Sequence, residues 1–269
     1  MIFNIAIWDL SGYTMLGKKT RQHGKEVSFV EHSMVQRMER ARKPAVPKKR
    51  EVRNPYDGLR FWSAWTHGVG AVLAVLGTLL LIVKAALQQN WEQVIVFAIY
   101  GGSMICLYTA STLYHSVNTT EKKRIALRKY DHCSIYLLIA GSYTPVCICV
   151  LKGHGGIALI SVIWSLAIAG MILTIAKLDL PRWLTSVIYL VMGWLALTAI
   201  VPLSRLMSGE GIFWLLLGGI CYSIGGVLYA VKWPGRHNPK FGCHEIFHVW
   251  IVLGSVMHYL MMYRVVAAM

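Results

Sequence analysis

Seven long apolar stretches, at 61–87, 94–116, 131–151, 155–176, 183–203, 211–232 and 244–265, dominate this chain of 269 residues. Each is close to the ~20 residues that a helix needs to cross a hydrocarbon core about 30 Å thick. Short polar turns separate them: "QQNWEQ" at 88–93, "KGHGG" at 152–156, "KLDLPR" at 177–182 and "SGEG" at 208–211. The fold class that follows is all-α, an integral membrane bundle of seven transmembrane helices and a multi-pass protein of the cell membrane. A 56% hydrophobic share against 14% charged residues agrees with this and excludes an ordinary soluble domain.

The formal charge of +15 invites a nucleic-acid reading until the basic residues are placed on the folded topology. Thirteen Lys and Arg fall in residues 1–60, five in 117–130, two in 177–182 and three in 232–243; the opposite side has only Lys84, Lys152, Arg205 and Arg264. Positive charge collects on the cytoplasmic side of membrane proteins, so the N-terminus is expected in the cytoplasm and the C-terminus outside it. The expected partners of that basic face are membrane lipids with anionic headgroups, and no nucleic acid is needed to explain the charge. Oligomeric state is not legible.

Residues 1–59 divide from the heptahelical domain at 60–269. "MIFNIAIWDL" is apolar but short, and its basic residues follow it, so it does not read as a secretory signal. "RARKPAVPKKREVR" at 40–53 is polybasic and interrupted by proline, the composition of a disordered arm resting on anionic headgroups. Met34 offers an alternative start. The six cysteines include C-x-C at 147–149 but no paired spacing of a zinc ribbon, and they read as small buried side chains. Only Cys243, beside His244, is near the candidate chemistry.

Polar groups inside a membrane are costly and tend to face the bundle interior. The second stretch ends in "STLYHS", the third begins with "YDHCS" and the seventh with "HEIFH". On this topology, Ser111, His115, Asp131, His244 and His248 come to one membrane face. Residues four apart share a helix face, which pairs Ser111 with His115 and His244 with His248. Three neutral imidazoles and an open position make the ligand set of a catalytic zinc, and a nearby carboxylate can orient or deprotonate water. No thiolate cluster favours iron and sulfur, and one carboxylate is too few for calcium.

H-E-x-x-H at 244–248 also suggests a metallopeptidase helix with Glu245 as general base. Downstream of His248 the sequence holds only His258 and no Asp or Glu, so no third ligand follows. Glu245 points about 100° around the helix from His244 and reads as a supporting or headgroup-facing acid. His258 lies ~15 Å beyond His248 and cannot share its metal. His67 reads as a helix-packing hydrogen-bonding group or a support of the metal-site residues, His132 and His237 as interfacial groups, and His154 as a residue of the opposite face. Tyr143 and Pro145 mark an expected kink in the third span.

S-x-x-x-H at 111–115, the Asp of "LRKYDHCSIYLLIAGSYTP" at 127–145 and H-x-x-x-H at 244–248, with "WSAWTHGVGAVL" at 62–73, resemble the hemolysin III family. That family belongs with the progestin and adipoQ receptors, in a wider group that includes alkaline ceramidases. The resemblance covers roughly residues 55–265. It implies a zinc held by His115, His244 and His248, with Asp131 on its bound water and Ser111 close by. The expected function is hydrolysis of an amide or ester bond of a membrane lipid, in the manner of a ceramidase, or maintenance of membrane lipid homeostasis. Two other classes stay open: a membrane-damaging cytolysin, and a receptor or sensor with structural zinc.

Overall fold

A computed structural model describes residues 59–176, 182–236, 238 and 240–269. The chain divides into Met1–Arg53 and Asn54–Met269, and every described residue belongs to the second unit. The expected basic arm and His237 lie outside the described residues. The helices are α1 (Phe61–Leu87), α2 (Trp91–Ser116), α3 (Glu121–Pro145), α4 (Gly156–Ala176), α5 (Arg182–Trp194), α6 (Ile200–Leu206), α7 (Gly209–Val231) and α8 (Cys243–Arg264). Seven spans have the length and apolarity to cross a membrane, with α5 and α6 together forming the fifth. No strand occurs among the described residues.

Most of the backbone hydrogen bonds of each span close within its own helix, as lipid requires. Local capping fixes several starts. The Asn90 side chain accepts from the Gln93 N–H at the head of α2, and Ser208 Oγ from Gly211 N–H at the head of α7. On α1 the large residues Val72, Leu76, Leu80 and Val83 are exposed, the surface that a hydrocarbon solvent covers. Its opposite face packs on α2 and α8. Close approach there depends on small residues: a Cβ at Gly70 would fall 2.8 Å from the Tyr108 ring of α2. The interior centres on large buried side chains such as Leu81, Phe97, Tyr100, Tyr108 and Met261.

Two departures from the expected spans matter for the site. The third helix begins at Glu121, ten residues before the apolar stretch. Its first turns are basic and polar, so hydropathy ends where the helix does not. Arg124 explains the extension: its guanidinium donates to the Tyr114 and Val117 carbonyls (3.2 and 2.6 Å) and closes the C-terminal end of α2. Asp131 is therefore about 15 Å along α3 rather than at its start.

The second departure is in the fifth span, which breaks into a 3₁₀ turn at Leu195–Ala199 between α5 and α6. Opposite it, the third span passes Pro145 and continues as a π-helical turn, Val146–Val150, in place of a simple kink. Tyr143 joins the two irregular segments. Its hydroxyl lies 2.8 and 2.7 Å from the Met192 and Gly193 carbonyls and accepts from Ala196 N–H at 2.7 Å. Backbone groups freed by the break thus find a side-chain partner within the bundle.

Candidate metal centre

The last turn of α2, the middle of α3 and the first two turns of α8 meet at one end of the bundle, beside the start of α1. A backbone tie sets part of this arrangement, as Arg60 N–H donates to the His115 carbonyl at 3.0 Å. A side-chain clasp sets the rest. Glu245 is buried; its Oε1 accepts from Arg60 Nη1 (2.9 Å) and Ser63 Oγ (3.1 Å), and its Oε2 from Gly242 N–H (2.8 Å). Glu245 therefore caps its own helix and fastens α8 to α1. It faces no headgroup, which corrects that part of the sequence reading, and its oxygens are occupied by this clasp rather than set for the work of a peptidase base.

His115, His244 and His248 converge, with one ring nitrogen from each lying within 4.8 Å of the others. His244 Nε2 is 3.1 Å from both His115 Nε2 and His248 Nε2. His115 and His248 are buried and His244 is half-buried. His248 Nδ1 lies 3.3 Å from the Ser63 carbonyl, which can only accept. The proton therefore belongs on Nδ1, and Nε2 presents a lone pair to the cluster. Ser63 thus acts twice, aiming His248 through its carbonyl and Glu245 through its hydroxyl.

The cluster could hold a metal ion. Three ring nitrogens so near one another bring lone pairs into the same space, and a cation at their centre satisfies them together. Zn–N bonds of about 2.0–2.1 Å in a tetrahedron place nitrogens roughly 3.3 Å apart, close to the 3.1 Å from His244 Nε2 to each of its two partners. Three imidazoles are also a donor set that zinc accepts. Cys243 and Glu245 are outside the converging set, as is His258.

Asp131 and Ser111 line the same cavity as His244 and His248. Ser111 and Arg128 are near enough to the Asp131 carboxylate to act on it electrostatically. Asp131 Oδ2 is also 3.7 Å from His132 Nδ1. Asp131 is outside the set of converging nitrogens. His67 packs through its ring, stacked on His248 (centroids 3.8 Å apart, planes at 19°) and edge-on to Tyr108 at 5.1 Å, rather than through the hydrogen bond expected of it.

The cavity extends away from this cluster between α3, α5, α7 and α8. Its open space, counted where the centre of a water molecule fits, is about 160 Å³, and its walls include Leu107, Ile135, Leu138, Leu190 and Ile251. Sequence reasoning brought together the three imidazoles, Ser111 and Asp131 but missed Arg60 and Ser63. The signal for Ser63 was present, since Ser63 and His67 share a face of α1 as His244 and His248 share one of α8.

Residues 61–259 match the family described as haemolysin-III related. The hemolysin-3 homolog of Bacillus subtilis is 40% identical over 193 residues, covering 72% of this chain and 87% of that protein. Hemolysin-3 of Bacillus cereus is 38% identical over 196 residues, with 72% and 86% covered. An adiponectin receptor protein of Drosophila melanogaster is 29% identical over 228 residues, covering 75% of this chain and half of that protein.

Proposed function

The chain belongs to the haemolysin-III-related family of membrane proteins, and we propose that it hydrolyses an amide or ester bond of a membrane lipid at a zinc centre. The observation that carries this reading is the convergence of three imidazole nitrogens beside an apolar cavity whose wall also holds Asp131 and Ser111. His115, His244 and His248 would hold the metal, with the Ser63 carbonyl fixing the tautomer of His248. When bound, zinc would supply a Lewis acid that activates water and polarises a carbonyl.

The chain's own groups divide the remaining work. A carboxylate oxygen of Asp131 accepts the proton of the attacking water and returns it to the departing amine or alkoxide, so one group serves as base and then as acid. The Ser111 hydroxyl steadies that carboxylate. The apolar wall receives the lipid chain and keeps bulk water from it. A purified, zinc-loaded chain in lipid nanodiscs is expected to release fatty acid from at least one member of a panel of bacterial ester and amide lipids. Release should stop on chelation and return with zinc. No release from any lipid in the panel, or release indifferent to zinc, overturns the hydrolase reading.

The same three imidazoles join α2 to α8, which also suits a receptor or sensor in which zinc is a structural clasp. In that case chelation would loosen the bundle without any turnover to lose.

We assign the site end of the bundle to the cytoplasm on the distribution of charge. Exposed Lys122, Lys123, Arg236 and Lys240 belong to the basic side and are suited to anionic headgroups. A reporter fused after residue 267 is expected outside the cytoplasm and one at residue 45 inside it. Finding both on the same side would overturn this orientation.

A further inference from the structure

The cavity reaches well beyond the imidazole cluster, as far as His258. This residue is ten positions past His248 on α8, about 15 Å further along the axis. Its ring walls both the main cavity and a smaller space beyond, bounded by Val146, Leu203 and Met261. The ring is held in place on several sides. Tyr222 meets it edge-on, with centroids 5.3 Å apart and planes at 76°. On α7, Gly218 leaves the room it occupies, because a Cβ there would run into the ring, passing within 3.1 Å of its Cγ.

One of its nitrogens is accounted for and the other is not. His258 Nε2 lies 3.2 Å from the Leu215 carbonyl, an acceptor, so Nε2 carries the proton. The neutral ring then offers Nδ1 as a lone-pair acceptor. Among the described residues no protein group hydrogen-bonds Nδ1, and it is not one of the polar atoms sealed from all space in the interior.

The neighbouring polar groups already have protein partners. Ser142 donates to the Ile139 carbonyl, Ser223 donates to the Gly219 carbonyl and accepts from Trp194, and the Tyr222 hydroxyl pairs with Ser255. His258 Nδ1 is thus an unsealed acceptor on a ring that walls a mainly apolar passage. A plain hydrocarbon chain lying there would exclude water and leave that acceptor unmatched. A chain carrying a hydroxyl at that depth would match it.

We propose that the cavity accepts a lipid whose acyl chain bears a hydroxyl near the level of His258, and that Nδ1 of His258 reads that hydroxyl. Carbon–carbon bonds of about 1.5 Å at near-tetrahedral angles advance an extended chain by roughly 1.25 Å per carbon. A span of about 15 Å along α8 then places the hydroxyl roughly twelve carbons from the reacting carbonyl. This rests on the reading of the cavity as a lipid site, and a binding measurement separates the two.

The probes are radiolabelled 12-hydroxystearate, 2-hydroxystearate and stearate, added to the zinc-loaded full chain. The 12-hydroxy acid is expected to bind about fivefold more tightly than stearate, the yield of one buried hydrogen bond. The 2-hydroxy acid should show no such gain. In His258→Leu the preference should fall to about parity, and His258→Gln, which keeps a donor and an acceptor, should restore most of it. Tight but equal binding of all three acids by the unaltered chain overturns the hydroxyl subsite and leaves the lipid cavity standing. Binding of none overturns both. A preference for the 12-hydroxy acid that survives in His258→Leu removes His258 from its recognition. The comparison of hydroxyl positions needs no variant, so it decides the matter even if His258→Leu fails to fold.

Discussion

His248→Ala is expected to reduce bound zinc from about one ion per purified chain to less than a tenth of that, because two imidazoles hold zinc far more weakly than three. The position is tightly held among the three candidate ligands. Its ring is buried, its Nδ1 is directed at the Ser63 carbonyl, and its Nε2 sits 3.1 Å from that of His244. Alanine leaves neither a ligand nor a ring for His67 to stack on. Metal content by atomic emission on protein washed free of loose ions gives the direct reading. Thermal unfolding should also move to a lower temperature, since metal bound to the folded state stabilises it by mass action. Zinc content equal to that of the unaltered chain would sink the assigned ligand set.

Asp131→Asn is expected to behave in the opposite way, keeping the metal and losing the chemistry. Asparagine preserves the size and polarity of the side chain, but it cannot take a proton from water. Lipid hydrolysis should fall by about 10²-fold or more, in kcat rather than KM, while zinc content and unfolding temperature stay near those of the unaltered chain. Equal turnover in both proteins would remove Asp131 from the proton transfer. Loss of zinc in the variant would make Asp131 a ligand or an essential support of one. Both readings predict destabilisation in the first variant, and the second separates them: a catalytic centre loses turnover with its zinc in place, whereas a clasp has no turnover to lose.

The two variants also differ in how far sequence alone could justify them. His244 and His248 needed only helical spacing, and their meeting with His115 needed only an alternating topology that brings the end of one span beside the start of another. Asp131 was harder. It was expected at the start of its helix, where the apolar run begins, but α3 begins ten residues earlier with a basic segment. It still lines one cavity with Ser111, because α3 packs laterally on α2, helped by Arg124 reaching back to the end of α2. Hydropathy measures transfer into lipid and is silent about a helix that continues outside it.

By itself, then, the sequence determined the seven spans, their alternating sense and the end of the bundle at which the imidazoles collect. These follow from the thickness of a bilayer, the closure of backbone hydrogen bonds within a helix and the period of 3.6 residues. Only the tertiary structure decided which atoms meet. It made Glu245 a clasp to Arg60 and Ser63, turned His248 toward a carbonyl 185 residues away, placed the Tyr143 hydroxyl in the break of the fifth span, and gave His258 one partner at Leu215. Periodicity gives the face on which a side chain lies, whereas a hydrogen bond depends on distances of a few tenths of an ångström between helices far apart in sequence. Those distances are set by the packing of the whole bundle.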